Sequence, residues 1–291
     1  MVVNPIAAVM NPQIFPLTGA VSQARTAFAD SASGRGSADC EACAMTLRPP
    51  TDMPDQVFDG WVGHFAANRA RGEAIEAGVD WDTAADLPEN VRTAVIRSFQ
   101  RFELGEGGEG LHLLRTARGQ SAAPREALRM LAAEEQRHST LFKRGLQYLG
   151  ADTVTTHRSD EVFTRLRRSL GLRTELALFL AAEAVAMPYF VVLARSGPDE
   201  VMSAIGTRIA LDEEHHLAFQ IDQLRPGFVR MPTPVRGVVF LAWWCVAVGA
   251  ATVVAIDHRA ALRVCGLPVR SFWGAALRSL RRAAGATLSR E

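Results

Sequence analysis

Cysteine is scarce in this chain. Cys40, Cys43, Cys245 and Cys265 are too few and too scattered for the disulfide framework of a secreted domain, so a reducing cytoplasm is the expected compartment. An excess of one charge is also missing. Thirty-two basic residues stand against 31 acidic ones, a balance that argues against a nucleic-acid partner and for a small-molecule or protein partner. The N-terminus lacks the order of an export signal, because no basic region precedes a compact apolar run and Pro5, Pro12 and Pro16 interrupt it. Period-two alternation is nearly absent as well, which leaves little room for strands. The fold class expected is all-α.

What is present is helical punctuation. Residues 1–54, rich in Ala, Ser, Gly and Pro without a sustained period, read as a disordered or loosely attached tail, with Met45 as an alternative start. Residues 55–291 read as one helical domain. Helices are expected from Gln56 through Trp61, Phe65 and Asn68, then over 88–118 after Pro88, 124–149, 160–170, 172–195 and 198–223. Pro226, Pro232 and Pro234 mark a break before an apolar helix and an Arg-bearing helix, together spanning about 235–285.

Two stretches share one template. In "AAEEQRHSTLF" (132–142) and "ALDEEHHLAFQ" (210–220) a Glu precedes a His by three residues, and positions i and i+3 lie on one helix face. Glu135 and His138 continue the stripe of Leu128, Leu131 and Phe142, while Glu213 and His216 continue that of Ile205, Ile209 and Gln220, so both pairs are expected to point inward. Asp212 with His215 forms a rival pair whose stripe runs back through Arg208 and suits an outer face. Glu183, in "LFLAAEAVAMPYF", sits among apolar residues on the buried stripe of its helix. Glu106 follows Val95, Phe99 and Phe102 at helical spacing, with Glu103 as the rival on a neighbouring stripe.

Spacing ties these residues together. Glu106 precedes Glu135 by 29 residues and Glu183 precedes Glu213 by 30, and 78 residues separate each Glu/His pair from its counterpart. Turns near 119–124 and 196–198 fold each copy into a hairpin whose carboxylates return to nearly one level, since each residue rises about 1.5 Å. Four buried Glu and two His then share one bundle interior. Isolated buried carboxylates would cost several kcal/mol each, and a pair of divalent cations supplies the missing charge.

Over about 90–223 this pattern resembles the ferritin-like di-iron carboxylate superfamily, with the ligand bundle at about 88–223. The resemblance implies a ferritin-like four-helix bundle with extra helices at both ends and two iron ions, with manganese or a mixed pair as alternatives. It implies that Glu106, Glu135 and His138 serve one metal and Glu183, Glu213 and His216 the other, with Glu135 and Glu213 bridging. Glu134 and Asp212 would accept the N–H of the opposite helix's histidine. Within the superfamily, Phe142 stands where the radical subunit of ribonucleotide reductase carries Tyr, and a rubrerythrin-type four-thiolate site would need more than Cys40-x-x-Cys43.

The flanks, "WVGHFAANRARGEAIEAGVDW" (61–81) and the apolar C-terminal helix, are similar to the p-aminobenzoate N-oxygenase type of di-iron oxygenase. That family's seventh ligand would be a His at the position of Ile209, so N-oxygenation stands beside hydroxylation and desaturation. The function implied is O₂-dependent oxidation of a small organic substrate, with electrons from a ferredoxin or reductase. An iron-handling or peroxide-scavenging protein, including one with manganese-catalase-like chemistry, is the alternative, and a membrane-associated scaffold is a third reading. A homodimer is compatible with either enzyme.

Other signals carry less. "GEGGEG" (105–110) matches a dinucleotide fingerprint in letters, but a helical pattern precedes it and its acids would repel phosphate, so the glycines read as permitting close helix contact or a local distortion within the helix. The uncharged segment 237–256 has spanning length, yet Trp243 and Trp244 lie at its middle. It reads as a fully buried helix walling the substrate pocket, with membrane association as the lesser alternative. His64, His112 and His157 lack a companion ligand and read as ordinary polar residues.

Overall fold

The computed structural model of the chain describes residues 55–107, 110–155 and 171–289, all within the unit Pro50–Glu291. The expected tail, Cys40-x-x-Cys43, His157 and the helix over 160–170 lie outside the described residues. Those described form helices and no strand: α1 Asp55–Ala77, α2 Glu89–Glu106, α3 Leu111–Thr116, α4 Ala122–Tyr148, α5 Leu172–Ser196, α6 Glu200–Val229, α7 Thr233–Asp257, α8 Arg259–Val264 and α9 Val269–Leu288.

Packing follows the apolar stripes. α2 pairs with α4 and α5 with α6, and α4 faces α6 across the middle. Phe99 and Phe102 of α2 meet Phe142 of α4 at ring-centroid distances of 5.1 and 5.4 Å, so the position that could have held a tyrosine is apolar core. α6 starts at Asp199, whose side chain accepts from the Met202 N–H at 2.8 Å and thereby satisfies one of the free amides of the first turn. The Tyr148 hydroxyl donates to the same carboxylate at 3.1 Å and fastens the end of α4 to the start of α6. At Gly206 an added Cβ would lie 2.5 Å from the Ala194 backbone nitrogen, and its absence lets α5 and α6 run in close contact beside the polar interior.

Three expectations are corrected here. The helix expected over 88–118 ends at Glu106 with Gly107 as its C-cap, and a separate short helix starts after Gly110, whose φ of +61 is left-handed and interrupts a helix running through it. Gly105 lies in the last turn of α2, and Gly107 and Gly110 lie in the connection that follows it. The helix expected to stop before Pro226 continues to Val229: proline forfeits one backbone bond, and buried Leu224 and Phe228 carry the apolar stripe past it. The apolar helix α7 is not fully buried. Ala247, Ala251 and Ala255 pack inward, whereas Val238 and Leu241 are 69% and 61% exposed.

α1 lies over the seam between α4 and α6, while α7 and α9 cover α5 on another side. These two coverings determine what surrounds the polar interior.

Candidate metal centre

Four helices bring acids and imidazoles to one depth. Glu135 and His138 come from α4, Glu213 and His216 from α6, and one ligand-type atom from each lies within 4.8 Å of the others. The two imidazoles stack with centroids 5.4 Å apart. His138 and His216 are fully buried, as i,i+3 spacing on two inward stripes demands.

Each ring is held from behind by the opposite helix. His138 Nε2 lies 2.9 Å from Asp212 Oδ2, and His216 Nε2 lies 2.9 Å from Glu134 Oε2. Asn68 of α1 closes the pair, donating from Nδ2 to Glu134 Oε1 at 2.9 Å and to Asp212 Oδ1 at 2.6 Å. Arg137 donates to Glu134 at 3.0 Å, and the buried Arg208 guanidinium donates to Asp212. Burial pushes the carboxyls of Glu134 and Asp212 up, but His216 and His138 respectively outweigh it and hold both below the usual carboxylate range. With both acids ionised, each Nε2–H points at its acid and each Nδ1 faces the interior, where a metal would replace the second proton that the metal-free ring holds.

The inward atoms are among the buried atoms left without hydrogen bonds. Glu135 Oε1, His138 Nδ1, Glu183 Oε2, both carboxylate oxygens of Glu213 and His216 Nδ1 are buried and have no hydrogen-bond partner. His216 Nδ1 is 2.8 Å from Glu135 Oε1 and His138 Nδ1 is 3.4 Å from Glu213 Oε1, in neither case along an N–H donor direction. Burying such atoms unpaired is costly, and several converging on one point mark a place for a cation. The set of two imidazole nitrogens and carboxylate oxygens suits a divalent first-row metal. The cluster of Glu135, His138, Glu213 and His216 could therefore hold a metal ion.

Glu106 and Glu183 stand beside this cluster. Burial, then the charge of Glu135, pushes the Glu106 carboxyl well above the usual range, and it hydrogen-bonds Glu135. Burial, then Glu213 and Glu135, does the same to Glu183, although Gln220 Nε2 donates to its Oε1 at 2.6 Å. Glu135 is itself lifted by burial, but the bond from Glu106 and the charge of His216 bring it below the usual range. His138 is depressed by burial and then raised to about 9 by Asp212 and Glu213. Glu106 ends α2, where the helix dipole disfavours an anion, which again suits a site that supplies positive charge.

The rival assignments separate in space. Glu103 accepts from Ser139 Oγ at 3.4 Å and does not line the cavity beside the cluster, whereas Glu106 does. His215 Nδ1 lies 2.7 Å from the Leu211 carbonyl, so the Asp212/His215 pair is split between two tasks. The Arg208 side expected to face outward is buried, because α1 covers it: Arg208 and Asp212 are 3% and 1% exposed. Ile209 is core, the rings of His64 and His215 meet at a tilt with centroids 4.2 Å apart, and His112 Nδ1 lies 2.9 Å from Glu175 Oε2.

Sequence reasoning missed Asn68, Arg137, Arg208 and Gln220 as parts of the site. Their signals were a polar residue on an apolar stripe at Asn68 and Gln220, and i,i+3 or i,i+4 acid spacing at Arg137 and Arg208.

A cavity of about 700 Å³ adjoins the cluster. Glu106, Glu135, Glu183 and Glu213 line it at one part, and Arg101, Asp257 and His258 at another. Apolar residues of α2, α5 and α7, among them Phe102, Phe179, Val185, Phe190 and Val246, make up most of the remaining wall. Comparison with protein families and with curated proteins finds no match for this chain.

Proposed function

We propose that the protein is a di-iron oxygenase of the ferritin-like type, oxidising a small organic substrate with O₂. The observation that carries this reading is the convergence of unpaired ligand atoms from Glu135, His138, Glu183, Glu213 and His216, with both imidazoles tethered from behind by Asp212 and Glu134. Glu106, Glu135 and His138 would hold one ion and Glu183, Glu213 and His216 the other. When bound and reduced, such a pair supplies the electrons that activate O₂, and a ferredoxin or reductase restores them.

The chain's own residues do the rest. Asp212 and Glu134 keep a proton on each Nε2, so Nδ1 is the nitrogen that would ligate a metal, giving up its own proton as the metal binds. Glu106 and Glu183, raised by burial, hold protons until cations displace them. Phe102, Phe179, Val185 and Phe190 exclude water from the volume beside the carboxylates. That apolar volume favours an organic substrate over iron storage or peroxide scavenging, neither of which needs it.

The test is to load the purified chain with ferrous iron without oxygen, count the metal, then follow O₂ uptake. About two irons per chain and O₂ consumption on each reduction are expected. Rapid peroxide disproportionation, or accumulation of many irons per chain, would assign the site to scavenging or storage instead.

A further inference from the structure

Every large hydrophobic residue that is exposed among the described residues lies between Val229 and Trp273. On α7 these residues, Val235, Val238, Leu241, Val253 and Ile256, recur at helical spacing along one outward stripe, opposite the buried Ala247, Ala251 and Ala255. Scattered exposed apolar residues need no explanation, but their confinement to one helix face does.

Charge is equally uneven. Residues 229–289 contain eight arginines and a single acid, Asp257, in a chain whose formal total is only +1. Arg230 and Arg236 precede or open α7 and Arg259 follows it, while Arg270, Arg278, Arg281 and Arg282 lie exposed on α9. α9 runs alongside α7: Arg236 donates to the Leu288 carbonyl at 2.7 Å near one end, and Trp273 Nε1 donates to Thr252 Oγ1 at 3.3 Å near the other. α7 is thus fastened flat along the bundle, an arrangement that presents one apolar side and does not suit a span. An apolar stripe bordered by arginines complements an anionic lipid surface, which takes up the side chains and attracts the guanidinium groups.

The cavity opens at the same place. Cys245, Gly249 and Val253 line it and are also exposed, so it reaches the surface within the α7 stripe, as it also does beside Gly105 at the end of α2. We propose that the α7–α9 face docks on an anionic lipid surface and that the cavity beneath it admits a long apolar substrate from that surface. The docking stands on exposure and charge alone; what happens to the substrate at the carboxylates rests on the oxygenase reading above.

The metal-loaded full chain should float with vesicles of phosphatidylcholine and phosphatidylglycerol in equal parts, bind phosphatidylcholine alone at least tenfold less, and be released by high salt. Brominated acyl chains should quench its tryptophan fluorescence. Val238→Ser with Leu241→Ser, both exposed and outside the cavity, should weaken vesicle binding about tenfold while metal content stays unchanged. Absence of flotation, equal binding by the double variant, or binding without quenching would overturn the docking. So would a lipid-free dimer that the double variant converts to a monomer, which would assign the face to a second copy.

Spin-labelled stearic acid without vesicles should be immobilised by the chain and freed by Ala186→Phe, which fills the cavity; a freely tumbling label with the unaltered chain would overturn the substrate class. Vesicle binding by a chain that takes up no metal would instead contradict the oxygenase reading and leave the docking standing.

Discussion

His138 on α4 and Asp212 on α6 meet across the helix seam with Nε2 and Oδ2 2.9 Å apart, and this contact aims the other ring nitrogen at the interior. Asp212→Ala removes the acceptor and also leaves Arg208 buried without its partner. Metal affinity is expected to fall about 10- to 100-fold. Competition with a chelator measures it, and Glu126→Gln on the exposed side of α4 serves as the unaffected control.

Without metal, stability should fall as pH rises. Glu106, Glu183 and Glu213 are raised in the folded chain by burial first and neighbouring carboxylates second, apart from the opposing pull of His138 on Glu213. His138 is raised to about 9 and His216 well above its usual value, because carboxylates outweigh burial. The unfolded chain releases these protons first, near pH 4.5 for Glu and 6.5 for His. The stabilisation is therefore complete below those values and lost as pH climbs toward the raised ones. Glu134, Glu135 and Asp212 are lowered and act oppositely, but only below the usual carboxylate range. Thermal midpoints of the metal-free chain should fall between pH 5 and 9, while metal affinity rises over the same interval as cations replace protons.

Glu183 and Gln220 form a buried pair joined at 2.6 Å. Replacing both with Leu removes a carboxyl that burial penalises without leaving the amide unpaired, so the metal-free chain should be unchanged or stabilised by about 1 kcal/mol. Metal bound per chain should drop by half or more. Chemical denaturation and metal analysis of the same sample check both halves.

Gly110 combines φ +61 with a site where an added Cβ would sit 2.6 Å from that of Ala132, one turn before Glu135. Gly110→Ala should cost about 2 kcal/mol or more, from backbone strain and crowding together. Adding Ala132→Gly should restore the crowding share and leave the backbone share, as urea denaturation of the single and double variants would show.

Ala186 lines the cavity. Ala186→Phe should leave metal content intact and lower substrate oxidation about tenfold or more, while O₂ uptake by the reduced protein persists. Parallel assays of product and O₂ separate the two.

The paired Glu-x-x-His stretches were legible because three residues are nearly one helical turn, so a local rule puts Glu135 with His138 and Glu213 with His216. Glu183 was legible because an acid amid "FLAAEAVAM" violates that helix's own stripe. Asn68 was not, since its partners lie 66 and 144 residues away and only the docking of α1 brings them together. Arg208 was misread for the same reason: α1 turned a face that suited solvent into an interior. The apolar stripe did not show that the long helix divides into α2, ending at Glu106, and a separate helix after Gly110, and the exposure of α7 depended on which helices cover it.

On the function proposed above, inward carboxylates and imidazoles from α2, α4, α5 and α6 hold a binuclear metal site. Metal analysis of the chain after anaerobic loading with ferrous iron and removal of weakly held ions tests it most directly. About two ions per chain, falling sharply in His138→Ala and His216→Ala, is the predicted result. A folded chain that retains no metal, or retains as much in both variants, would contradict it.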